Sequence, residues 1–163
     1  MQWPSPRAPA LRRIALFVAL MATAMALGPA LAHLFELPNK IGLPADAYFA
    51  AQQIYSGWSL FGALLAVQLL SIVVVIVAAR TDRRLRSLAV LALACLAGAQ
   101  ALFWIFTYPA NAATENWTVR PDDWRILRRQ WELSHAAGAL LQLAAMACLS
   151  IGALWHASDK HKR

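Results

Sequence analysis

Four long apolar stretches, each closed by charged or helix-breaking residues, dominate the pattern of this chain: Ile14 to Leu37, Ser56 to Ala79, Ser87 to Tyr108 and Trp131 to Trp155. Each holds about 20 residues or more, enough to cross a hydrocarbon core of about 30 Å as a helix rising 1.5 Å per residue. No stretch alternates with the two-residue period of a strand. The pattern predicts an all-α, four-helix transmembrane bundle. Short connections around Asn39–Ala45 and Arg80–Arg86 make neighbouring spans antiparallel. The longest non-apolar stretch, Pro109 to Gln130, is expected to begin irregularly. It should turn helical after Pro121, so that a short outer helix leads into the fourth span. Asp46 is expected to cap the helix that precedes the second span, with Asp122 and Asp123 in the first turn of the fourth.

Composition agrees with this reading. The 163 residues are 60% hydrophobic and only 14% charged, with a mean hydropathy of +0.50. A soluble domain of this length carries more charge. The net charge of +7 is unevenly spread. Ten of the fifteen Lys and Arg residues lie before the first span, between the second and third, and in the tail, whereas six of the eight acids lie in or next to the other two connections. By the positive-inside rule both termini are cytoplasmic. The basic excess is thus a topology signal with the lipid bilayer as its partner, and it excludes a nucleic-acid-binding reading. Residues 1–13 are expected as an N-terminal arm rich in Pro4, Pro6 and Pro9, residues 14–156 as the membrane domain, and residues 157–163 as a basic tail. The first span is too long for a cleavable signal and is read as a retained anchor. The Ala- and Arg-rich composition points to the inner (plasma) membrane of a bacterium. Cys95 and Cys148 sit inside apolar runs and read as core-filling residues. Gln68, Gln100 and Gln142 are candidates for hydrogen bonds between helices. Asn116-Trp117-Thr118 fits a glycosylation acceptor, but so short a pattern arises readily by chance.

The chemistry gathers at the outer ends of the spans. His33-x-x-Glu36 closes the first span and Glu132-x-x-His135 opens the fourth, in reversed order. Two antiparallel helices carrying these motifs can set His against His and Glu against Glu. Ionisable residues inside spans are costly and mark functional sites. Arg125, Arg128, Glu132, His135 and Gln142 share one helical face, flanked by Trp124 and Trp131; Tyr48, Gln52, Tyr55, Ser59 and Gly62 form a second stripe. Tyr108 and Asn111 complete the set, and together these residues predict an outward-facing polar cavity.

Three readings of the cluster stay open. His33, Glu36, Glu132 and His135 have the ligand types for a single Zn, Fe, Mn or Cu ion. Alternatively, with no cofactor, His135, together with His33, acts as general base, Glu36 and Glu132 orient and hold the histidines, and Arg128 or Arg125 stabilises an oxyanion. Tyr48, Gln52, Tyr55, Tyr108, Asn111, Trp124, Arg125 and Trp131 then line a pocket for a small lipophilic substrate. In the third, Glu132 pairs with Arg128 and Glu36 with Lys40, the aromatics form an interfacial belt, and the protein is a ligand-binding or helper bundle.

Several runs carry a family likeness: Ala32-His33-Leu34-Phe35-Glu36-Leu37-Pro38-Asn39-Lys40, Gln52 to Trp58, Tyr108-Pro109-Ala110-Asn111, and Trp124-Arg125-x-x-Arg128-x-x-Trp131-Glu132-x-x-His135. Together they resemble the anthrone-oxygenase-like family of small four-helix membrane proteins. The resemblance implies a membrane-embedded site for a small aromatic or quinone-like compound. It also implies cofactor-free oxygenation of an anthrone to an anthraquinone, with Trp124, Arg128, Trp131 and His135 as the matching positions.

Overall fold

The computed structural model describes residues 7–161, and every regular element among them is helical. Helix α1 spans Arg7–Lys40, α2 Ala45–Gln52, α3 Phe61–Ala78, α4 Arg83–Leu102, α5 Tyr108–Ala113 and α6 Trp124–His161. Four helical segments are long and apolar enough to cross a membrane: Ala10–Lys40, Trp58–Ala78, Arg83–Ala113 and Trp124–Trp155. In their most apolar stretches only 17% to 39% of residues are buried inside the protein. The remaining apolar surface faces outward, which lipid accepts and water does not.

The four long helices close a ring in the order α1, α3, α4, α6, with α6 returning to pack along α1. The reversed His motifs require this antiparallel pairing of the first and last spans. Small residues make the close approach possible. Ala15, Ala19, Ala22 and Ala26 form a buried stripe on α1, and Ala89 and Ala92 do the same on α4. Gly152 of α6 faces α4 so tightly that a Cβ there would lie 2.9 Å from Cδ1 of Leu85. At mid-span the amide of Gln68 on α3 donates to Gln142 of α6 at 3.0 Å and to Thr23 of α1 at 3.1 Å, and Gln142 donates back at 3.4 Å. The expected interhelical role of Gln68 and Gln142 is therefore met, across the diagonal of the ring.

Several boundaries differ from expectation. Helix α1 begins at Arg7, within the segment read as an arm, because a proline such as Pro9 is tolerated in a first helical turn. The rest of that arm, with Pro4 and Pro6, and the last tail residues Lys162 and Arg163 lie outside the described residues, as do the side chains of His156 and His161. At its other end α1 continues through Pro38 to Lys40 rather than stopping at the proline. The stripe from Tyr48 to Gly62 is not one helix. Gly57 adopts φ 81°, a left-handed conformation open to glycine, and breaks it between two short 3-10 turns, leaving Ser59 and Gly62 exposed. Asp46 sits in the first turn of α2 but makes no cap, and Pro44 occupies the cap position. The segment from Pro109 is helical, not irregular. A π-helical turn at Phe103–Thr107 leads from α4 into α5, with Pro109 in the first turn of α5, where its missing N–H costs little. Asp122 and Asp123 precede α6, which opens at Trp124, although the Asp123 carbonyl accepts from Ile126 at 2.8 Å.

Candidate functional site

The end of the bundle away from both termini, the distal end, holds a buried charged cluster. His33 near the end of α1 and His135, one turn after Trp131 of α6, meet with ring centroids 4.5 Å apart. Trp131 lies against His135 at 3.9 Å and against His33 at 5.1 Å, and Tyr55 and Trp58 close over His33 at 4.7 and 5.8 Å. The expected juxtaposition of the two imidazoles is thus present. Nδ1 of His135 lies 2.9 Å from the carbonyl of Trp131 one turn earlier. A carbonyl only accepts, so this contact is a hydrogen bond when Nδ1 carries the proton, and in that tautomer of the neutral ring Nε2 keeps its lone pair.

Glu132 is fully buried, and its partner is not Arg128. Nζ of Lys40, itself only 6% exposed, lies 3.5 Å from Oε1 of Glu132 and 3.7 Å from Oε2 of Glu36. The ammonium also stands 4.3 Å from the Tyr55 ring centroid and 4.6 Å from that of Trp131, a cation–π cage. Arg128 instead donates to the Leu43 carbonyl at 2.7 Å and lies against the rings of Tyr48 and Trp124. The turn at residues 41–44 supplies that acceptor, so the one-turn pairing on α6 gives way to a contact between elements. Lys40, not Arg128, is the cation that meets Glu132. Sequence reasoning paired it with Glu36 but left it out of the site, because Pro38 reads as the end of the span.

Tyrosine hydroxyls tie these charges to the connecting segment. Lys40 donates to Tyr55 at 2.7 Å, and Tyr55 donates to Glu36 at 2.6 Å. Gln52 donates to Tyr48 at 2.7 Å, and Tyr48 donates to Oε1 of Glu132 at 2.9 Å. Both phenols hold their protons well above the ordinary range. Burial is the larger cause in each, followed by the charge of Glu132 at Tyr48 and the hydrogen bond to Glu36 at Tyr55. Three buried atoms in this cluster have no hydrogen-bond partner: Nδ1 of His33, Oε1 of Gln52 and Oε2 of Glu132. Buried polar atoms left this way are uncommon and need a reason.

An aromatic layer roofs the cluster. Asn111 on α5 accepts from the indole N–H groups of Trp117 at 3.0 Å and Trp131 at 2.9 Å. Trp117 was not among the expected residues. Its only sequence signal is a large aromatic in a polar connection, and it reaches the core through three consecutive positive φ values at Glu115, Asn116 and Trp117. Two expected residues fall outside the cluster. Tyr108 is 51% exposed and packs on Trp104, and Arg125 is exposed beside Trp124.

The four proposed metal ligands lie at this end of the bundle together with Lys40. Lys40 stands between the two carboxylates, and among the described residues no group of three or more His, Cys, Asp or Glu is arranged to hold an ion. The outward-facing cavity is also filled: side-chain rings pack on His33 from Tyr55, Trp58, Trp131 and His135. The open groove at this level, about 460 Å³, lies on the opposite face of α6, between Leu102, Phe106, Gln130 and Ser134. Comparison with family models, with curated proteins and with solved structures finds no match.

Proposed function

We propose that the distal cluster is a catalytic site that removes a proton from an activated carbon of a small lipophilic aromatic, which then reacts with dioxygen. The observation that carries this reading is the 2.9 Å contact between Nδ1 of His135 and the Trp131 carbonyl. With Nδ1–H donating to that carbonyl, Nε2 is a general base at the floor of an aromatic-walled end of the bundle. For an anthrone, Nε2 takes one proton from the methylene carbon, and Lys40, rather than Arg128, offsets the charge of the enolate. The carbanion's electron pair reduces dioxygen as a C–O bond forms, and the resulting peroxide anion takes the proton back from His135 to give a hydroperoxide. Loss of water across the remaining C–H and the O–O bond leaves the ketone, so one methylene and one dioxygen give one carbonyl and one water. The aromatic rings over His33 part to admit the substrate. We further infer that the chain sits in a bacterial inner membrane with both termini cytoplasmic, on the distribution of its arginines and lysines.

Packing of four rings on His33 favours a second reading, a bundle that binds a lipophilic partner without turnover. One experiment separates the two. Protein reconstituted in vesicles and supplied with anthrone should consume dioxygen and form quinone in equal amounts, well above empty vesicles. Quenching of tryptophan fluorescence by anthrone without oxygen uptake favours the binding protein, and neither signal ends both readings.

A further inference from the structure

Glu132 uses its two oxygens differently. Oε1 accepts from Tyr48 and faces Lys40, whereas Oε2 is buried with no partner. From Lys40 the donors run in one direction: its ammonium donates to Tyr55, and Tyr55 donates to Glu36. Glu36 is the exit, since 39% of its side chain is exposed while that of Glu132 is not exposed at all. On the other side the chain stops at Gln52, whose amide does not pass protons.

We propose that these four residues form a proton wire that connects the buried carboxyl of Glu132 to the water at the distal end, with Oε2 as its inner mouth. The proposal deepens the reading above: the balanced oxidation releases no net proton, so the wire serves to keep the protonation of the buried carboxyl, one turn from the His135 base on α6, in equilibrium with water. Each transfer balances. The Lys40 ammonium gives a proton to the Tyr55 oxygen as the Tyr55 proton passes to the Glu36 carboxylate. Lys40, now a neutral amine, takes the proton of the Glu132 carboxyl and regains its charge. The net result is one proton moved from Glu132 to Glu36, with Lys40 and Tyr55 restored. Two carboxyl groups facing one ammonium hold one such proton without adding net positive charge. Tyr55 suits a relay because its phenol stays protonated and never becomes a lasting anion. An ion pair serving assembly alone would have no use for a directed chain of donors ending at an exposed carboxylate.

The test needs no substrate. In vesicle-reconstituted protein, the infrared band of the Glu132 carboxyl, identified by its loss in Glu132→Gln, is followed after a rapid drop in external pH. Tyr55→Phe keeps the ring and removes the relay, and should slow the band's appearance at least about tenfold while leaving its final size unchanged. Glu36→Gln removes the mouth of the wire and should slow it likewise, so either variant suffices if the other does not fold. Appearance at the wild-type rate in a folded variant overturns the wire, and so does a wild-type Glu132 band that never responds. A working wire in a protein that leaves anthrone untouched would count against the oxygenase reading only.

Discussion

Among the buried polar groups of the described residues, those at mid-span and those at the distal end are built on opposite plans. At mid-span Gln68, Gln142 and Thr23 are neutral, and the two amides hydrogen-bond to each other. Nothing is left over for a ligand, and a closed set of this kind holds α1, α3 and α6 in register. At the distal end the groups are charged, their partners come from elements far apart in the chain, and three atoms stay unpaired. Burial of the first kind stabilises helix association modestly. Burial of the second kind costs more and is retained where it supports chemistry. The contrast separates a device for assembly from a candidate device for reaction.

The comparison breaks most readily at Lys40. Lys40→Met keeps the length of the side chain and leaves Glu132 buried without its cation, and removing one partner of a buried ion pair costs about 3–5 kcal/mol. Reversible unfolding in mixed micelles should show that loss, and a change below about 1 kcal/mol would mean the pair is not buried as described. Gln68→Leu should cost about 1 kcal/mol in the same assay. The double change Gln68→Leu with Gln142→Leu should cost no more than the single one, because a closed neutral pair can be replaced as a unit. A strictly additive double loss would show that the two amides do not act as a pair.

A smaller effect lies in the alkaline range. In the folded chain Tyr48 and Tyr55 keep their protons at pH values where an unfolded phenol has lost its own. The stability they contribute is fully present below the unfolded value, about pH 10, and falls as pH rises beyond it. Tyr55→Phe should flatten that fall, measured as unfolding free energy against pH, and an unchanged slope would remove Tyr55 from the account.

The bundle was legible because lipid imposes a simple length rule on apolar runs, and the pairing of His33 with His135 followed from the reversed motifs. The partners of the charges were not legible. Glu132 lies one turn from Arg128 on the same helix, yet the turn at residues 41–44 offers Arg128 a carbonyl, and the continuation of α1 past Pro38 brings Lys40 to Glu132. Such choices depend on where a connection folds, which helical periodicity does not encode. The break at Gly57 was hidden for a similar reason: a helical face can be drawn through any spacing until a left-handed residue interrupts it. Trp117 escaped notice because three left-handed residues in a row carry no glycine to announce them.

The most direct test pairs one substitution from each region. His135→Asn can retain a donor to the Trp131 carbonyl and removes Nε2, whereas Gln142→Leu opens the mid-span pair and leaves the distal cluster intact. With both variants reconstituted and confirmed folded, dioxygen uptake with anthrone should fall about a hundredfold or more in His135→Asn and stay within a few-fold of wild type in Gln142→Leu. Wild-type uptake in His135→Asn, or a collapse confined to Gln142→Leu, would contradict the assignment of chemistry to the distal end.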